Sequence, residues 1–96
     1  AVGAGMCLAS ACDIRIAAED AKIGFTFTKL GLHPGLGVTY FLPKIVGDAM
    51  AAELLLTAKT ISAQEALRIG LISEVVKIDS LLQRTTQIAE QIAECG

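Results

Sequence analysis

Apolar residues recur at helical spacing from Met6 to about Ala11, give way to alternation at Asp13-Ile14-Arg15-Ile16-Ala17, and resume a period of two at Lys22-Ile23-Gly24-Phe25-Thr26-Phe27. Neighbours on a helix face lie three and four apart, whereas neighbours on a strand face lie two apart. The pattern therefore predicts a short helix, a half-buried strand, a turn at Ala18-Glu19-Asp20-Ala21 and a second strand favoured by its Thr and Phe. On that strand Phe25 and Phe27 would face the same side, lining a pocket together or filling core together. Leu30-Gly31-Leu32-His33-Pro34-Gly35-Leu36-Gly37 breaks both periods, and its three glycines and one proline predict an irregular loop ending at Val38. Beyond Pro43, Asp48 is placed to cap a helix from Ala49 to about Thr57, with Met50, Leu54 and Leu55 as its apolar stripe. Ser62-Ala63-Gln64-Glu65 has the form of a capping box and opens a short helix closed by Gly70. Leu71 to Val76 reads as a short strand, and from Asp79 the spacing of Leu81, Leu82, Ile88 and Ile92 predicts an amphipathic helix. No segment repeats and none is of low complexity, so the pattern describes one α/β unit.

Composition alters this picture in one respect. The 96 residues are 53% apolar, with a mean hydropathy of +0.59. That is high for a free-standing domain of this size, which can bury only part of its unfolded surface. Some apolar surface is expected to lie against further chain or a partner. Charge excludes more than it suggests: 8 basic and 10 acidic residues, no Trp and one Tyr leave no basic stripe interleaved with aromatics for nucleic acid. No apolar run approaches the about 20 residues that span a bilayer, and no signal-like segment is apparent, so a cytoplasmic or organelle-matrix location is expected. Cys7, Cys12 and Cys95 are odd in number and without C-x-x-C spacing, and His33 is the only histidine. Neither a metal site nor a disulfide framework is predicted, and the two early cysteines read as buried free thiols of a reducing compartment.

The run Ala1-Val2-Gly3-Ala4-Gly5 precedes the first helix and admits two readings. Small residues let elements pack closely, and they also let a ligand reach the backbone. At a helix N-terminus the first N–H groups have no intrahelical acceptor and the dipole is positive, so bare backbone there suits a carbonyl that gains negative charge.

The order of features then becomes specific. The small-residue turn into a helix is followed by Cys12-Asp13-Ile14-Arg15-Ile16-Ala17, Ala21-Lys22-Ile23-Gly24, Leu30-Gly31-Leu32-x-Pro34-Gly35-x-Gly37 and Leu42-Pro43-x-x-Val46-Gly47. Leu56-Thr57-x-x-x-Ile61-Ser62-Ala63-Gln64-Glu65-Ala66 leads on to Gly70-Leu71-Ile72-Ser73-Glu74-Val75-Val76. In this order and spacing the chain resembles the enoyl-CoA hydratase/isomerase (crotonase) family over essentially its whole length. The resemblance implies a fragment of the crotonase-like ββα spiral, an α/β fold in which short strands alternate with helices. It places the chain in the family's middle-to-C-terminal portion, with an N-terminal portion and the C-terminal helices absent. The absent N-terminal portion would carry a second oxyanion donor and much of the coenzyme A pocket.

It further implies an acyl-CoA thioester as substrate, no cofactor beyond the coenzyme A that the substrate carries, and assembly as a homo-trimer or hexamer. Ala4 aligns with the family's oxyanion-hole N–H donor, and Gly3, Gly5, Cys7, Phe27, Leu30, Pro34 and Gly35 fall at positions that would line the substrate. The family's hydratases use two glutamates, one on the helix two residues before Ala9-x-x-Cys12-Asp13 and one after Ala21-x-Ile23-Gly24. Those positions hold Cys7 and Phe27, and neither is a carboxylate able to activate water or return a proton. Dienoyl isomerases of the family carry aspartate at or near the first position, and some hydrolases and dehalogenases carry one just after the loop proline, where Gly35 stands. Cys7 and His33 remain as side chains with acid–base chemistry near the site. The expected function is an acyl-CoA-binding protein that stabilises a thioester enolate through an oxyanion hole, with acid–base residues that are non-standard or lie outside this chain. The alternative is a non-catalytic acyl-CoA-binding or assembly subunit.

Overall fold

A computed structural model describes all residues from Ala1 to Gly96. Helix α1 spans Ala4–Ser10, strand β1 Ile16–Ala18, strand β2 Lys22–Gly24, helix α2 Val38–Val46 and helix α3 Asp48–Thr57. Strand β3 spans Thr60–Ser62, helix α4 Ala63–Arg68, strand β4 Glu74–Val76 and helix α5 Leu81–Ala93. Short 3-10 turns at Thr28–Leu30 and Ile78–Ser80 complete the chain.

The strands form two small pairings. β1 runs parallel to β4 with Ala17 opposite Val75, and β2 runs antiparallel to β3 with Ile23 opposite Ile61. The first three residues lie along the second edge of β2, where Val2 bridges Gly24 in parallel. Gly3 N–H donates to the Gly24 carbonyl at 2.9 Å, and the Ala1 ammonium to that of Lys22 at 2.9 Å. This edge holds the entry to α1 in place. From α1, Met6 and Cys7 reach a core shared with Ile23, Phe25, Leu42 and Leu54, and Phe25 and Leu42 are completely enclosed. On the same helix Ser10 is buried, and its hydroxyl donates to the Met6 carbonyl at 2.8 Å, so it costs no unpaired group.

Several local predictions need correction. The second strand ends at Gly24, because Phe27 adopts helical backbone (φ −63°, ψ −49°) and opens the turn Thr28–Leu30. Phe25 and Phe27 therefore share no strand face: Phe25 is fully buried, whereas Phe27 is partly buried against the same core. β1 starts at Ile16 rather than Asp13, and β4 at Glu74 rather than Leu71. Cys12 is exposed rather than buried, because the chain leaves α1 before it, and Arg15 Nε donates to the Leu71 carbonyl at 2.7 Å. Helix α2, for which the pattern predicts no element, carries Pro43 inside it, where proline cannot donate to the preceding turn.

Asp48 is the first residue of α3 rather than its cap; Gly47 precedes it at φ 88°, and the Asp48 carboxylate acts on the dipole without capping. Of the capping box at α4 only half forms. Ser62 Oγ accepts the Glu65 N–H at 3.1 Å, but the Glu65 carboxylate turns to Arg68, and Arg68 Nε donates to its Oε2 at 2.8 Å. That surface pair holds the Glu65 carboxyl below its ordinary range, first through the hydrogen bond from Arg68.

Helix α5 buries none of its residues. Its apolar stripe, including Leu81, Ile88 and Ile92, borders a groove of about 610 Å³ whose other wall carries Ile14, Ile16 and Ile72. With Leu8, Leu30, Leu36 and Leu56 also more than half exposed, the chain presents the apolar surplus that its composition predicts.

Candidate active site

At the head of α1, the N–H groups of Ala4, Gly5 and Met6 have no acceptor in the protein. The first N–H of this helix to find one is that of Cys7, which donates to the Gly3 carbonyl at 3.0 Å. Gly3 sets the direction of entry with φ 64° and ψ −130°, a backbone that a side chain would strain, and the Gly24 carbonyl pins it from behind. Ala4 and Gly5 are exposed, so the open donors at the first two helical positions face outwards.

No element within these 96 residues requires Gly5 to be small. A Cβ built on Gly5 would meet nothing closer than the Ala1 methyl at 3.9 Å, and one on Gly3 nothing closer than Thr26 Oγ1 at 3.7 Å. Both are ordinary van der Waals distances. The conformation of Gly3 requires glycine; the bareness of Gly5 is not demanded by packing within the chain.

Thr26 is the residue at this place that sequence reasoning missed. It was legible only as a β-favouring residue in an alternating run. In the structure its hydroxyl, rather than its methyl, faces Gly3; the residue is half-buried, and the hydroxyl is open to solvent with no hydrogen-bond partner in the protein.

The two positions that resemblance assigns to acid–base glutamates differ in setting. Cys7 lies one turn into α1 with its side chain completely enclosed in the core, and burial pushes its thiol up from the ordinary range. A helix N-terminus lowers a thiol that faces it; here desolvation acts the other way, and the thiol stays protonated and covered. Phe27 contributes an aromatic ring packed on the core, and its carbonyl anchors the following turn by accepting from Leu30 and Leu32 N–H at 2.9 and 3.0 Å.

The loop residues form a separate feature. His33 is exposed beside an open hollow of about 520 Å³, bordered by Thr28, Pro34, Thr39, Leu55 and Leu56 and by none of residues 3–7. Leu30 is 74% exposed and lies outside that hollow, and a Cβ placed on Gly35 would meet nothing within 4 Å. The structure thus groups Gly3, Ala4 and Gly5 with Thr26, places Cys7 beneath them, and sets His33 and Pro34 at the loop hollow. No three His, Cys, Asp or Glu side chains converge in a way that could hold a metal ion.

The family model described as enoyl-CoA hydratase/isomerase matches residues 1–96. The chain is 48% identical to the crotonyl-CoA hydratase of Syntrophomonas wolfei and 46% identical to the (E)-benzylidenesuccinyl-CoA hydratase of Thauera aromatica. All 96 residues align in both cases, covering 37% and 38% of those proteins. The crystal structure of an enoyl-CoA hydratase from Bacillus anthracis superposes with a TM-score of 0.96 at 47% identity, over 100% of this chain and 37% of that one. The crotonase-like fold implied by the resemblance is therefore the fold observed. The chain spans little more than a third of the length of these relatives, and the expectation that it is their middle-to-C-terminal portion is not borne out. With a whole-length match to the family model and close agreement in fold, the chain belongs to the enoyl-CoA hydratase/isomerase family.

Proposed function

We propose that this chain supplies one donor of an oxyanion hole for an acyl-CoA thioester, the Ala4 N–H, in a protein that stabilises the thioester enolate. The observation that carries the reading is the head of α1, where exposed N–H groups without acceptors lie on backbone whose bareness no internal neighbour requires. A carbonyl oxygen seated there meets fixed donors and the positive end of the helix. As the α carbon loses its proton, the charge that gathers on oxygen is stabilised without reorganisation, an effect of ~3–4 kcal/mol for one donor of this kind. In this reading a second donor belongs to chain outside these 96 residues, and the base that takes the α proton is either a non-standard residue or also lies outside them. Coenzyme A enters as part of the substrate, and no other cofactor is needed for this chemistry. Assembly as a trimer or hexamer belongs to the same reading and accords with the apolar surface left exposed.

A specific observation favours a second reading. The positions of both family glutamates are occupied by an enclosed thiol and a phenyl ring. A protein that kept thioester binding but lost proton transfer would be an acyl-CoA-binding or assembly subunit. The full-length protein separates the two when tested for acyl-CoA binding, for crotonyl-CoA hydration and for α-proton exchange in deuterated water. Exchange with little hydration supports the enolate reading, and binding without exchange supports the second. Absence of binding overturns both.

A further inference from the structure

We draw no further inference here: the strongest candidate, the apolar groove of about 610 Å³ between helix α5 and the wall that carries Ile14, Ile16 and Ile72, is an unpartnered face, and nothing in the structure shows what covers it.

Discussion

Replacing Ala4 with proline separates the proposed donor from the fold that presents it. Ala4 is the first residue of α1, its N–H has no acceptor in the protein, and its side chain is exposed. Proline is favoured at this helical position because its fixed φ suits the first turn and the missing N–H would have been an orphan. The residue before a proline must be extended, and Gly3 with φ 64° and ψ −130° is the mirror image of an extended residue, open to glycine and compatible with the ring. The substitution should change stability by no more than ~1 kcal/mol. It deletes one oxyanion donor, worth ~3–4 kcal/mol in the transition state, which is a fall of 10²–10³-fold in kcat. The assay is α-proton exchange of an acyl-CoA by the full-length protein, followed by thermal unfolding of the same samples. Ala4→Gly serves as control, since it keeps the N–H. Parent-like exchange by Ala4→Pro at an unchanged thermal midpoint would refute the assignment.

Three further predictions concern the scaffold around the site. In Gly24→Ala the new methyl would sit 3.0 Å from Thr60 Cγ2, and the wedge between β2 and β3 should cost ~1–2 kcal/mol in urea unfolding. Thr60→Ser removes that methyl, so the double variant should recover most of the loss, and equal costs in both backgrounds would contradict the contact. Ser62→Ala should cost ~1 kcal/mol by removing the one side-chain bond that caps α4, whereas Glu65→Gln should change little, because the Glu65 carboxylate does not complete the box. The buried Cys7 should alkylate far more slowly than Cys95, as read by mass spectrometry of the two peptides, with the difference vanishing on unfolding. Because burial raises the Cys7 thiol in the folded state, its contribution to stability is fully present below the ordinary thiol range and is lost as pH rises through the raised value.

The sequence was most legible where spacing and residue type agree. The Ser62 start of α4 and the amphipathic α5 stand close to where the pattern places them, because each is specified within one or two turns; α1 starts at Ala4, two residues before the apolar pattern at Met6, so Ala4 and Gly5 are its first turn. It misled where a strong local signal met a tertiary demand. Pro43 reads as a helix breaker but sits within α2, whose residues Val38 and Leu42 are completely buried and carry the helix against the core. Phe27 continues an alternating pattern, but the chain must turn after Gly24 to bring Thr28 to the carbonyl end of α3, and the strand stops.

At the candidate site, Gly3, Ala4 and Gly5 could be read from a motif because the backbone itself is the functional group. Whether their small size serves packing or access could not, since that depends on what lies opposite each Cα. Thr26 was hidden for the same reason: nothing in an alternating Phe-Thr-Phe run tells which atom of the threonine meets Gly3, or that its hydroxyl is left without a partner.

The central claim is that the Ala4 N–H polarises a thioester carbonyl, and bond polarisation can be observed without turnover. Difference infrared spectroscopy of an acyl-CoA carrying a ¹³C-labelled thioester carbonyl, bound to the full-length protein and to its Ala4→Pro variant, measures it. The carbonyl stretch is predicted to fall below its frequency in water on binding the parent protein and to lose most of that fall in the variant. A stretch that stays at its aqueous frequency in the parent, or that falls equally in the variant, would contradict the assignment.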